Sequence, residues 1–299
     1  MKYGFGVDVG GTTVKLGLLS EAGELLEKWE LPTRTENGGE NILPDIARSV
    51  QDCMARRGLS RDDCLGLGIG VPGPVDASGM VNRCVNLNWG VFNLHDALGI
   101  LTGLRVRAGN DANCAALGEF WKGGGSGCRS AIFVTLGTGI GGGVIVDGRL
   151  LTGAHGVGGE LGHIEISAPD KAPCTCGKRG CVDAYCSAKV LSALTGGNLA
   201  LFFDGLRAGD RTLQAAWDEY LAHLAIAVNN LRMIFDCDVI VGGYVGGFLS
   251  EFGAPLRELL ARHNTFEPDS SYLKFSRYQL ESSALGAALV HIESFIQSL

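Results

Sequence analysis

Glu160-Leu161-Gly162-His163 is followed by Cys174-Thr175-Cys176-Gly177-Lys178-Arg179-Gly180-Cys181, and these runs offer one imidazole and three thiolates, the donor set of a tetrahedral zinc ion. A zinc closed by His163, Cys174, Cys176 and Cys181 keeps no position open for water or substrate, so the expected ion is structural and braces a loop. A zinc hydrolase is disfavoured on the same ground. The loop is approached by Gly153-Ala154-His155-Gly156-Val157-Gly158-Gly159, a backbone flexible enough to wrap a small polar ligand, with Glu160 and His163 as its polar side chains.

Phosphate chemistry is the second theme. Asp8-Val9-Gly10-Gly11-Thr12-Thr13-Val14-Lys15 sets a carboxylate at a strand end, then a glycine turn whose amides and hydroxyls can face phosphate oxygens. It is not a Walker A loop, because the Gly-x-x-x-x-Gly-Lys-Ser/Thr string is missing and a second strand follows the turn. Gly137-Thr138-Gly139-Ile140-Gly141-Gly142 matches the dinucleotide string Gly-x-Gly-x-x-Gly, yet a β-hairpin follows it, so a Rossmann unit is rejected. Read singly, Asp8 is equally a turn carboxylate capping local amides, and Thr12 and Thr13 are ordinary strand residues. Asn110-Asp111 stands where a short strand gives way to a helix. Both residue types are favoured caps there, and a carboxylate at that point can also reach into a cleft. Two phosphate-type hairpins, the glycine pair Gly242-Gly243 and a braced polar loop lack only a base for a hydroxyl proton, and Asp111 suits that role.

Positioning these groups calls for strands that end in glycine turns. Residues 3–9 alternate as a strand, Gly10-Gly11 forces a turn, residues 12–19 return, and Glu21-Ala22-Gly23 leads into a third strand. The layout repeats at 131–151, with strands at 132–136, 143–146 and 149–151, so the chain reads as internally duplicated. Residues 41–58 and 92–103 have helical periodicity, while 65–71 and 104–108 read as short buried strands. Leu221, Leu224, Val228, Leu231 and Phe235 line one face of a long helix, Val239-Ile240-Val241 is a strand ending at Gly242-Gly243, and a last helix is expected over 283–296. Alternating strands and helices give an α/β class.

Composition narrows the function classes. The chain has 299 residues, enough for two domains, and a net charge of -7 without a basic run, which argues against a nucleic-acid surface. Its 46 glycines cluster in short runs between apolar segments, the pattern of tight turns and close ligand approach. No apolar stretch nears the ~20 residues that span a bilayer, and no signal-peptide layout opens the chain, so a cytoplasmic location is expected. Cys53, Cys64, Cys84, Cys114, Cys128, Cys186 and Cys237 show no framework spacing and read as ordinary buried thiols.

Taken together, these residues resemble the ROK family of sugar kinases and related repressors over essentially the whole chain. The most specific match is Glu160-x-x-His163 with Cys-x-Cys-Gly-x-x-Gly-Cys at 174–181. Asp8-x-Gly-Gly-Thr12, Val71-Pro72-Gly73-Pro74-Val75-Asp76, Asn110-Asp111, Leu136-Gly137-Thr138-Gly139 and Ala284-Leu285-Gly286-Ala287-Ala288 support it. The resemblance implies a duplicated actin-like, ribonuclease H-like α/β fold of two domains, with ATP and sugar in the interdomain cleft. Residues 1–115 would form a small domain completed by a C-terminal helix at 284–299, and 116–283 a large domain with the zinc-braced sugar loop.

By position, Asp111 resembles the base that accepts the proton of the sugar 6-hydroxyl. Gly73, Asn110, Glu160 and His163 resemble the sugar contacts, and Asp8, Gly10, Gly11, Thr12, Thr13, Lys15, Thr138, Gly139, Gly242 and Gly243 the nucleotide contacts. Mg2+ would bridge ATP phosphates near Asp8, and Zn2+ would be structural. Asp183 departs from the family, whose sugar kinases usually carry Glu at that point; it is still expected to accept from a sugar hydroxyl. The expected activity is ATP-dependent phosphorylation of a hexose, glucose preferred, with mannose, N-acetylated hexosamines and fructose as alternatives, in a homodimer that binds no nucleic acid or membrane. The family's repressors carry a helix-turn-helix before the phosphate hairpin; Asp8 lies seven residues after Met1, which leaves no room for one and sets the expectation of an enzyme over a sugar-sensing protein.

Overall fold

Apolar runs bounded by glycine build two sheets of the same plan. The computed structural model describes residues 1–154, 157–166, 171–263, 266, 269–277, 286 and 287. Tyr3–Val9 (β1), Thr13–Ser20 (β2) and Leu25–Pro32 (β3) form an antiparallel meander, and β1 then pairs in parallel with Cys64–Val71 (β4), which pairs in parallel with Val106–Asn110 (β7). Ala131–Leu136 (β8), Ile140–Val146 (β9) and Arg149–Leu150 (β10) repeat the meander, and β8 pairs in parallel with Asp238–Gly242 (β11), itself parallel to Leu273–Phe275 (β12). The strand orders β3-β2-β1-β4-β7 and β10-β9-β8-β11-β12 correspond position for position. Met80–Cys84 (β5) and Trp89–Asn93 (β6) form a separate hairpin. The duplicated α/β fold is the one expected.

Central strands are buried on both faces, as sheets covered by helices require: Phe5, Val7, Val9, Leu67, Ile69 and Val71 fill one face, and the buried glycines Gly4, Gly6, Gly66, Gly68 and Gly70 make up the other. The edge strand β3 instead alternates, and Trp29 on its inner side donates from Nε1 to Ser49 Oγ at 2.7 Å on the helix Ile42–Arg57. Burying β1 and β4 in this way removes most of the apolar surface of each side chain from water, at about 25 cal/mol per Å2. In the second sheet's core, the helix Arg211–Phe235 buries Leu213, Trp217, Leu221, Leu224, Val228 and Leu231 along one stripe. Asp210 caps that helix, accepting from the amides of Thr212 at 2.8 Å and Leu213 at 3.1 Å, and Asp236 ends it in the left-handed region at φ 47°.

Several boundaries differ from the sequence-based expectation. Trp89–Asn93 is strand, so the second predicted helix is Leu94–Thr102, capped by Asn93 and closed by Gly103 at φ 69°. β7 runs two residues later than expected because its partner β4 sets the register, Leu67 beside Val106 and Val71 beside Asn110. β9 starts at Ile140 rather than at residue 143, since Gly141, Gly142 and Gly143 pair with Thr135, Val134 and Phe133 of β8.

The chain divides into two compact units. The first holds Met1–Trp121, Thr152–Gly158 and, of the described C-terminal residues, Gly286 and Ala287; the second holds Lys122–Leu151 and Gly159–Leu280. Gly286 packs so closely on the helix Asp111–Lys122 that a Cβ on it would lie 1.6 Å from the Cys114 carbonyl oxygen. The rest of the helix expected at the C-terminus lies outside the described residues. Among those described, no single helix is long and apolar enough to cross a membrane.

Candidate active site

In the first unit the parallel strands decide what comes together. Register sets Asp8 beside Gly70 and Gly70 beside Gly109, with Val71 beside Asn110 one step further on. The carboxyl ends of β1, β4 and β7 thus bring the turn after Asp8, the Pro72-Gly73 turn and the Asn110-Asp111 junction to one edge, with Asp8 and Asn110 about 10 Å apart, two strand spacings. Open α/β sheets bind their ligands at this edge.

The glycine turn is shaped for close approach. Gly10 donates its amide to Thr13 O at 3.0 Å, while Thr33 donates its amide to Thr12 O at 2.9 Å and its hydroxyl to Gly10 O at 2.8 Å. Those bonds commit the turn's carbonyls to the protein. A Cβ on Gly11 would meet nothing within 4 Å, and Thr12 beside it is exposed, so space lies open over the turn. Lys15 stands directly across from Asp8 on one side and Glu30 on the other, a cation between two carboxylates in one cross-strand row.

Asn110 and Asp111 do act as caps. Asn110 Oδ1 accepts from the amides of Ala112 at 2.9 Å and Asn113 at 3.2 Å, and Asp111 Oδ1 accepts from Ala112 at 2.8 Å. Asn110 also donates through Nδ2 to Gly73 O at 3.4 Å, and the Cys84 thiol donates to Pro72 O at 2.6 Å, so the Pro72-Gly73 turn is held from two sides. Asp111 is half-buried. Burial, followed by the charges of Asp111 and Asp8, pushes the Cys114 thiol upward.

In the second unit the predicted metal ligands do assemble. His163 Nδ1 lies 3.7 Å from Cys174 Sγ, Cys176 Sγ lies 3.7 Å from Cys181 Sγ, and the four ligand atoms fall within 4.8 Å of one another. Zinc–sulfur bonds of about 2.3 Å at tetrahedral angles give sulfur–sulfur edges of about 3.8 Å, so the cage fits the ion. Burial and then the adjacent Cys174 and Cys176 thiols push Cys181 up to about 12. Because Nδ1 faces the cage, Nε2 is on the opposite side of the ring.

The knuckle closes through Gly177, at φ 87°, whose amide donates to Cys174 O at 3.0 Å. Tyr185 braces it from outside: its hydroxyl accepts from the Ala172 amide at 2.7 Å, and its ring stacks on His223 of the long helix at 4.4 Å. Glu160 is exposed and stands at the N-cap of the 3-10 turn Leu161–His163. A Cβ on Gly162 would lie 2.3 Å from Ile140 O, so this turn rests directly on the start of β9.

Thr138 and Gly139 are exposed in the β8–β9 turn. Gly242 is paired beside Thr135, at the same end of the sheet as that turn. Packing accounts for much of the glycine pair. A Cβ on Gly242 would meet Ser276 Cβ at 2.6 Å, and Gly243, at φ 81°, would bring one to 2.7 Å from the Leu136 amide. Asp183 is placed by the structure on the glycine turn, its Oδ1 accepting from the Ile140 amide at 2.6 Å.

The sequence pattern of the ROK family matches residues 4–293. The chain belongs to the ROK family. A curated relative, the glucokinase of Halalkalibacterium halodurans, is 37% identical over 86% of this chain and 84% of its own. The N-acetyl-D-glucosamine kinase of Aliivibrio fischeri is 34% identical over 88% of each. Among solved structures, a ROK family glucokinase from Streptomyces griseus in complex with glucose and AMPPNP superposes with a TM-score of 0.74 at 28% identity, covering 96% of this chain and 98% of that one.

Sequence reasoning passed over several residues that shape this ROK site. Thr33 holds the turn at Gly10 from 23 residues away, and Cys84 holds the Pro72 carbonyl across 12. Neither carries a local signal. Tyr185 had one, since an aromatic four residues past the last cysteine of a metal knuckle is well placed to cover it.

Proposed function

We propose that this chain is an ATP-dependent hexose kinase that phosphorylates the 6-hydroxyl of glucose. One observation carries the reading: β1 and β7 end at the same side of the sheet, so Asp8 and Asn110, the residue before Asp111, stand about 10 Å apart, in a chain whose family relatives include a glucokinase. Asp111 accepts the 6-hydroxyl proton while the oxygen forms its bond to the γ-phosphorus and the bond to the β–γ bridging oxygen breaks, releasing ADP. Its own capping bond to Ala112 fixes one carboxylate oxygen and thereby the orientation of the other.

Asp8, Gly10, Gly11, Thr12, Thr13, Thr138, Gly139, Gly242 and Gly243 take the nucleotide, with Lys15 balancing the charge of Asp8. Mg2+ near Asp8 neutralises phosphate charge when bound. Gly73, Asn110, Glu160 and His163 orient the sugar hydroxyls. His163, Cys174, Cys176 and Cys181 hold Zn2+, which supplies rigidity and sets the His163 tautomer so that Nε2 is presented on the side away from the metal. The enzyme is cytoplasmic and works as a homodimer.

The test is coupled ADP release over a panel of glucose, mannose, fructose, N-acetylglucosamine and N-acetylmannosamine at fixed ATP. Glucose giving the highest kcat/KM is the expected result; absence of ADP with every sugar sinks the reading. A second reading, an N-acetylhexosamine kinase, is favoured by the Aliivibrio relative, and the same panel separates the two.

A further inference from the structure

The strand β8 ends at Leu136 and β9 starts at Ile140, leaving Gly137-Thr138-Gly139 as a turn closed by the Gly137 amide on Gly139 O at 3.1 Å. Both ends of this turn are held from outside by one short segment. Asp183 Oδ1 accepts from the Ile140 amide at 2.6 Å, and the Ala188 amide donates to Gly137 O at 2.8 Å. The carboxylate lies so close over the turn that a Cβ on Gly139 would sit 3.1 Å from Asp183 Oδ1. From the other side, Gly162 rests on the Ile140 carbonyl.

The segment that carries Asp183 is itself stiff. It begins two residues after Cys181, and the Val182 amide donates to Ile164 O at 2.9 Å, the Ala184 amide to Cys181 O at 3.0 Å and the Cys186 amide to Val182 O at 2.8 Å. Cys186 is fully buried, and its carbonyl accepts from the Tyr220 hydroxyl at 2.6 Å on the long helix. A rigid strut therefore runs from the metal knuckle to the glycine turn. Its last link is a charge-assisted hydrogen bond, the strong kind.

We propose that Asp183 is a positioning residue for the turn 137–140, acting on nucleotide binding through the Ile140 amide. Naming the turn's occupant as nucleotide rests on the kinase reading above; the hold of Asp183 on the turn does not. An oxygen acceptor is what the position requires. Asparagine keeps one, and alanine removes it.

The experiment compares Asp183→Ala and Asp183→Asn in the full, metal-loaded chain, varying ATP at saturating glucose and glucose at saturating ATP. Asp183→Ala should raise the KM for ATP about ten-fold, the factor set by about 1.4 kcal/mol. It should leave the KM for glucose within about two-fold, and Asp183→Asn should leave both within about three-fold. Hydrogen exchange gives a readout independent of activity: the Ile140 amide should exchange about ten-fold or more faster in Asp183→Ala than in the parent or in Asp183→Asn. An unchanged KM for ATP in Asp183→Ala overturns the proposal. So does a rise confined to the sugar in either variant, or an Asp183→Asn as impaired as alanine. If Asp183→Ala does not fold, Asp183→Asn decides, because a direct sugar ligand would lose sugar affinity with its charge and a positioning residue would not. A parent protein that makes no ADP sinks the kinase reading alone, and the exchange comparison still decides what Asp183 does.

Discussion

At the scale of single residues, Asp111 carries the proposed chemistry and Gly243 the geometry. Asp111→Asn keeps an oxygen that accepts from Ala112 yet loses the basic site, so turnover should fall about 100-fold or more with the fold intact. ADP release together with circular dichroism checks this, and near-normal turnover would refute the role. Gly243→Ala places a methyl 2.7 Å from the Leu136 amide at a left-handed φ of 81°. The expected loss is about 1–3 kcal/mol of stability in urea denaturation, and no loss would mean that the close packing at the end of β11 relaxes freely. The sequence offered Gly242-Gly243 as ligand contacts, and packing makes its own demand for glycine there, since protein fills the positions where side chains would go.

At the scale of elements, two braces invite measurement. Removing the metal with a chelator should loosen the knuckle and its 3-10 turn, seen as faster hydrogen exchange over 160–186 and weaker sugar binding. Full sugar affinity in metal-free protein would detach the knuckle from the sugar. The second brace ties β3 to the helix Ile42–Arg57, where Arg57 and Arg56 bond to Glu27 at 2.7 and 2.9 Å and hold its carboxyl below the usual range. A lowered carboxylate pKa stabilises the fold above the ordinary glutamate range, and that contribution disappears as pH falls through the folded pKa. Since these pairs are largely solvated their worth is at most about 1 kcal/mol, so Glu27→Gln should lower stability at neutral pH by up to about that amount, leave it nearly unchanged below the folded pKa, and thereby flatten the acid limb of the stability curve slightly. An acid limb identical to the parent's would show that the ion pairs contribute nothing.

For the whole molecule, ligand linkage gives the broadest check: a non-hydrolysable ATP analogue and glucose, each at about 100 times its dissociation constant, should each add about 2.7 kcal/mol to stability, visible as a rise in Tm. Neither ligand shifting Tm would contradict a sugar kinase. The duplicated plan was legible beforehand because strands, glycine turns and amphipathic stripes are local patterns, and the matching strand orders of the two sheets follow from them. The metal donors were legible for a related reason: their residue types and close spacing are chain-local, and a short knuckle leaves few ways to arrange them. Less legible were β7 and β9, whose starts moved because a partner strand, rather than intrinsic preference, sets where pairing begins. The residues by themselves determined the family, the repeat and the thiolate cluster. Only the tertiary structure decided that Asp183 holds the Ile140 amide 43 residues away and that Asp8 and Asn110 share a sheet edge, because register and packing between distant segments are settled by the summed burial of whole elements and leave no mark on any one stretch of chain.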